Sequence, residues 1–145
     1  MPAPSAVAQT PAAASLSAQR HFADKLAFET DCWDTHDALS KSAVDFVLLD
    51  VRGPALYQEG HVPGALNLPH GKMTERRMAE WSEDTLFVVY CAGPHCNGAD
   101  KAALRLALQD RPVKIMIGGI TGWIDEGFAL AEGIDPQTVS AVEGR

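Results

Sequence analysis

Two thiols five positions apart carry the first chemical signal in this chain of 145 residues. They are Cys91 and Cys96, with Ala92, Gly93, Pro94 and His95 between them and Asn97 following. Residues 85–90, Thr-Leu-Phe-Val-Val-Tyr, run into Cys91 and predict a buried strand. Residues 98–106 predict a helix, with Ala99, Ala102, Ala103 and Leu106 at i, i+3, i+4 and i+7. A thiol between a strand's C-terminal end and a helix N-terminus is well placed to ionise. Backbone N–H groups and the positive end of the helix dipole favour the thiolate. Such settings hold cysteine pKa values between about 3.5 and 7.5, against about 8.5 for the free side chain. Cys91 is therefore the predicted nucleophile, and Ala92, Gly93, Pro94, His95, Cys96 and Asn97 form its predicted substrate-binding loop.

The elements that must hold this loop follow from hydrophobic pattern. Residues 46–51 are apolar on both faces until Asp50, as expected of a central parallel strand covered on each side. Gly53-Pro54 breaks that strand, and residues 55–59 allow one or two helical turns. Residues 65–69 predict a short edge strand closed by Pro69, residues 73–81 a helix, and residues 113–117 another strand. Gly118-Gly119 permits a sharp turn before a short helix at 121–126. Nearer the N-terminus, Ser17 is the predicted cap of a helix through Phe28 with Phe22 and Leu26 inward. Asp34 is the predicted cap of a second helix to about Lys41. Strands alternating with helices predict an α/β domain with a mainly parallel sheet. Ligands of such sheets bind beyond the carboxyl ends of the strands. Asp50-Val51-Arg52, Cys91 and Gly118-Gly119 all fall at such ends.

Composition sets outer bounds. With 46% hydrophobic and 21% charged residues, a packed core is expected. The net charge of −7 argues against general nucleic-acid binding, which needs a basic face. Three cysteines do not make a disulfide framework, and C-x4-C without a second ligand pair does not make a zinc finger, so no metal or cofactor is expected. Cys32, beside Trp33, reads as a small buried hydrophobe. Residues 1–16, rich in Ala, Pro, Ser and Gln, read as a flexible tail. Residues 17–134 read as the domain and 135–145 as a polar C-terminal tail. No stretch approaches the ~20 apolar residues of a membrane span. A cytoplasmic monomer is the default expectation, and it suits a free reactive thiol.

Three segments together resemble the rhodanese family of sulfurtransferases. The first is Asp50-Val51-Arg52, Tyr57 and Gly60-His61-Val62-Pro63-Gly64-Ala65, leading to Leu68-Pro69. The second is the strand, Cys91, loop and helix. The third is Gly118-Gly119-Ile120-Thr121-Gly122-Trp123 with Gly127-Phe128. The resemblance covers roughly residues 34–130. It implies a rhodanese-like domain with a five-stranded, mainly parallel sheet flanked by helices on both faces. It also implies a cysteine that takes a sulfane sulfur from a small donor as a persulfide. The sulfur then passes to a thiol or cyanide-like acceptor. Only Cys91 matches that position.

The loop departs from the family's common pattern. Many active sulfurtransferases carry arginine beside the cysteine in a six-residue loop. Here residues 91–97 make seven, with Ala92 next to the cysteine and no arginine or lysine among them. Weak use of thiosulfate, a dianion, is the expectation. Seven residues is also the loop length of the related dual-specificity phosphatases. Their C-x5-R arginine clamps phosphate bidentately, and Asn97 stands at that position here. A third reading is a non-catalytic or regulatory rhodanese-like module, although such modules usually lack the cysteine.

Cys96 has two readings. As a resolving thiol it would attack the Cys91 persulfide and require a thioredoxin-like reductant; otherwise it is a small residue facing away. His95 is a candidate partial cation beside the thiolate. Asp50 and Arg52 are predicted to support the site by charge-assisted hydrogen bonds. His61 reads as a satisfied turn histidine, and Trp123 as core or pocket wall.

Overall fold

Five parallel strands form one sheet in the order β1-β5-β4-β2-β3 in the computed structural model, which describes residues 2–136. The strands are β1 (Glu29–Thr30), β2 (Val47–Asp50), β3 (Leu66–Asn67), β4 (Phe87–Tyr90) and β5 (Val113–Met116). The helices are α1 (Ser15–Phe28), α2 (Cys32–Leu39), α3 (Pro54–Glu59), α4 (Glu75–Met78), α5 (Gly98–Leu108) and α6 (Gly119–Asp125). A 3-10 turn at His70–Lys72 precedes α4.

The central strands show why a run without polar alternation becomes a middle strand. All four residues of β4 are buried. Phe87 and Val89 pack with Leu49 and with Ala99, Ala102 and Leu106 of α5 on one face. Val88 and Tyr90 pack with Leu48, Cys32, Ile120 and Trp123 on the other. Side chains alternate between faces with period two, so both faces need apolar residues once helices cover both. Fully burying Leu106 alone stabilises the fold by about 1.5–3 kcal/mol. The edge strands β1 and β3 have two residues each, which leaves little unpaired backbone for another chain to pair with.

Several boundaries differ from expectation. Helix α1 starts at Ser15, with Ala14 rather than Ser17 at its cap and no side-chain capping bond. None of its residues is buried, and Phe22 and Leu26, the predicted inner stripe, are 60% and 74% exposed. Their spacing suits a helix, but no element among the described residues covers them. The cap of α2 is Asp31, whose side chain accepts the Asp34 N–H at 2.8 Å, so the cap lies three residues before the predicted Asp34, and the helix ends at Leu39. The helix predicted over residues 73–81 shrinks to α4, capped by Thr74. Residues 2–14 are exposed apart from helix, with one turn closed by the Ala8 N–H on the Ser5 carbonyl. Most of the predicted C-terminal tail, residues 137–145, lies outside the described residues, as does Met1.

Candidate active site

Cys91 is the first residue after β4, and two neighbouring turns hold it there. Its carbonyl accepts the Ile120 N–H at 3.1 Å, and the Ala92 carbonyl accepts the Thr121 N–H at 3.0 Å. The turn after β5 is thus stitched to the start of the loop. That approach needs glycine. Gly119 has φ +58°, and a Cβ there would collide with the Cys91 carbonyl oxygen. Within the loop, the Cys96 N–H bonds the Gly93 carbonyl at 3.0 Å, folding the chain back so that Cys96 faces Cys91.

Asp50 and Arg52, expected to make charge-assisted hydrogen bonds in support of the site, make them with each other in a buried pair. Arg52 Nη2 donates to Asp50 Oδ2 at 2.7 Å and to the Gly60 carbonyl at 2.6 Å. Burial pulls the Arg52 guanidinium down, and hydrogen bonding and charge pairing with Asp50 more than offset it, leaving it raised. The Tyr90 hydroxyl donates to Asp50 Oδ2 at 2.8 Å and accepts the Val62 N–H at 3.0 Å. Burial, then Asp50, push the Tyr90 phenol far above its ordinary range, so it remains a donor. The network fixes the residue before Cys91. Asp50, Arg52, Tyr90 and Val62 are not among the residues that line the cavity at the thiol. His61 stacks on Tyr57 at 3.7 Å and its Nδ1 bonds the Tyr57 carbonyl at 2.8 Å. Its Nε2 is buried without a partner among the described residues. Trp123 is core, with its Nε1–H on the Ala129 carbonyl at 2.9 Å.

The two loop thiols lie in contact. Cys91 Sγ and Cys96 Sγ are 2.6 Å apart and share a hydrogen bond, and the Gly98 N–H points at Cys96 Sγ from 3.5 Å. Cys91 is buried, Cys96 half-buried. Burial, then the bond to Cys96, push the Cys91 thiol up. The bond from Cys91, then the Gly98 N–H, pull Cys96 down. The helix-end amides therefore favour an anion, as expected, but they stabilise it first on Cys96. That corrects the expectation of a low pKa on Cys91 itself. Of the two, the more solvated sulfur is the easier to ionise and the buried one the harder.

Cys91 and Cys96 face a cavity of about 590 Å³ between the loop, α2 and the turn after β5. Cys32 lines it too, so this thiol is not remote from the loop as its sequence position suggested. Pairing of β1 with β5 brings it there. Its Sγ approaches the Ile117 and Gly119 carbonyls at 3.6 Å, and burial, then Asp31 and Glu126, push its pKa to about 11. Cys32 stays a neutral thiol anchoring the Gly118-Gly119 turn. Gly93 and Pro94 line the same cavity, whereas Ala92, His95 and Asn97 border a neighbouring depression shared with Pro94, Cys96 and Asp100. His95 is exposed and its ring folds back toward Gly93.

One site residue was missed in the sequence. A Cβ on Gly98 would stand 2.8 Å from Cys91 Sγ and 3.5 Å from Cys96 Sγ. Its position at a helix start after a cysteine loop was the available signal. Among the described residues no group of three or more His, Cys, Asp or Glu is arranged to hold a metal ion, and no helix is long and apolar enough to cross a membrane.

Comparison with known proteins gives a consistent picture. A family model described as "Rhodanese-like domain" matches residues 34–126. The chain is 32% identical over 135 residues to the HTH-type transcriptional regulator Rv0324 of Mycobacterium tuberculosis, covering 88% of this chain but only 59% of that protein. It is 30% identical over 79 residues to the thiosulfate sulfurtransferase GlpE of Pseudoalteromonas translucida, 54% of this chain and 73% of the relative. Among solved structures, the BH2092 protein from Bacillus halodurans superposes with a TM-score of 0.79 at 35% identity, over 83% of this chain and 88% of that one.

Proposed function

The chain belongs to the rhodanese-like domain family, and from that premise we propose that it moves a sulfane sulfur from a small donor to a thiophilic acceptor through a persulfide on Cys91. The observation that carries this reading is the Cys91–Cys96 pair, two thiols in contact at the mouth of a strand-end cavity. At rest the pair's first negative charge sits on Cys96. Cys91 becomes the attacking thiolate by passing its proton to Cys96 across their hydrogen bond. The Cys91 thiolate attacks the outer sulfur of the donor. A new S–S bond forms, the donor's own S–S bond breaks, and the electron pair leaves on the departing thiolate or sulfite.

Two exits return the enzyme. An acceptor thiolate attacks the terminal sulfur of the persulfide, takes it, and regenerates the Cys91 thiolate. In the other exit, Cys96 gives the proton it took from Cys91 to the outer sulfur of the persulfide, and the resulting Cys96 thiolate attacks Cys91 Sγ and expels hydrosulfide. A Cys91–Cys96 disulfide remains, and a thioredoxin-like dithiol then supplies two electrons to reduce it. The C-x5-R phosphatase reading has no support at the site, because Asn97 carries no charge and lies outside the cavity lined by Cys91.

The likeness to part of a transcriptional regulator favours a second reading, in which the dithiol is a sensing element rather than a turnover site. The two differ in stoichiometry. A panel of thiosulfate, polysulfide and organic persulfide donors with a thiol acceptor should give many turnovers per protein, and Cys91→Ser should give none while keeping the fold. A single modification per chain without turnover would favour the sensing module.

A further inference from the structure

The cavity at the thiols has a charge that the loop sequence does not reveal. Four carboxylate residues line it: Glu29 at the end of α1, Asp31 at the cap of α2, Asp100 in the first turn of α5 and Glu126 after α6. Among the described residues no lysine, arginine or histidine lines it. Glu29 is shared with Lys25 at 2.9 Å, a half-exposed surface pair. Asp31 spends its oxygen on a backbone N–H, which leaves its charge uncancelled. Lys101, the cation that acts on Cys96, lines a different depression on α5 with His70, Thr74 and Glu75. Asp31 and Glu126 act on Cys32 inside the cavity, so their field reaches the sulfur on its α2 side. Carboxylates from four separate elements around one concave opening focus a negative potential on whatever enters.

Resting on the sulfur-transfer reading above, we propose that the cavity selects a small thiol or persulfide carrying positive charge next to its sulfur, an aminothiol in chemical class, over anionic donors and acceptors. A volume of about 590 Å³ suits a small molecule. A cation gains from the four carboxylates, whereas an anion is repelled by them as well as losing hydration.

The test uses two methanethiosulfonate reagents that differ only in the group two carbons from the attacked sulfur, trimethylammonium in one and sulfonate in the other. Attack by the thiolate forms a mixed disulfide and releases a sulfinate, so no sulfane sulfur takes part. Rates are followed by intact mass in the full chain carrying Cys96→Ser, so that the mixed disulfide on Cys91 persists. Peptide mapping places the label. The cation-to-anion rate ratio, divided by the same ratio for a neutral free thiol, should be about 10 or more at low salt. In the Asp31→Asn, Asp100→Asn, Glu126→Gln protein it should fall to within about twofold of unity. Asparagine retains the oxygen that caps α2, and the unsubstituted carboxylates provide an independent check, since raising salt to about 0.5 M should also collapse the ratio by screening. A normalised ratio near unity, or one unchanged by both substitution and salt, overturns the proposal. Loss of sulfur transfer with the ratio intact would strike only the reading on which it rests.

Discussion

Gly98 stands against Cys91 so closely that a single methyl group at position 98 would lie 2.8 Å from the thiol sulfur. The first residue of α5 is thus part of the wall of the reactive group. The packing that lets the helix end reach the sulfurs also leaves no room for a side chain there.

Gly98→Ala tests this contact. Alanine gains little from helix propensity at the first helical position, and its methyl group must displace the buried Cys91 thiol or the helix end, so stability should fall by about 1–3 kcal/mol. The displaced thiol should lose about tenfold in its rate with a neutral alkylating reagent at pH 7.5. An unchanged rate would mean that the close contact does not position Cys91.

The pair of thiols should titrate as a unit. In the unsubstituted protein the lowered pKa belongs to Cys96, so limited alkylation near pH 7 should label Cys96 before Cys91. Cys96→Ser removes the sulfur whose bond and charge help hold the Cys91 thiol up. The Cys91 alkylation profile should then move down from its position in the unsubstituted protein, while burial keeps it above the ordinary ~8.5. Preferential labelling of Cys91, or an inflection that stays put without Cys96, would contradict this.

Mild peroxide should link Cys91 to Cys96, because any sulfenic acid formed on one sulfur meets the other at contact distance. Peptide mapping should find the 91–96 link, reversible by a dithiol. Cys91 driven to sulfinic acid with Cys96 still reduced would rule out the resolving role.

Much of this site is legible in the sequence because its parts are local. The strand before Cys91, the loop and the amphipathic face of α5 are contiguous, and the apolar run of β4 announces burial on both faces. Asp50 and Arg52 are two residues apart and find each other on their own. What the sequence hides is what depends on approach between distant segments. Cys32 enters the cavity only because β1 pairs with β5. The carboxylates at the cavity come from positions nearly a hundred residues apart and read singly as solvated surface. The order of the two thiol pKa values depends on which sulfur the fold buries. Phe22 and Leu26 mislead for the opposite reason, since their spacing describes a face but cannot say whether anything packs on it. Asp31 and Asp34 both suit a cap by type, and the hydrogen bond decides between them.

Arg52 is the cation of the buried pair at the end of β2. Arg52→Met leaves Asp50 buried without its cation, which should cost about 3–5 kcal/mol. In a domain of this size the melting temperature should drop by roughly 10–15 °C. Circular dichroism melts of the two proteins check it, and a drop of only a degree or two would mean the pair does not hold the end of β4.

The most direct measurement of sulfur transfer is the location of the sulfur itself. The protein is incubated with an organic persulfide, freed of donor, blocked with a thiol-trapping reagent and digested, and the peptides are sequenced by mass spectrometry. One added sulfur on Cys91, absent from Cys32 and lost on addition of an acceptor thiol, is the expected result. Sulfur retained on Cys96 or Cys32 instead, or no added sulfur with any donor, would contradict the persulfide on Cys91.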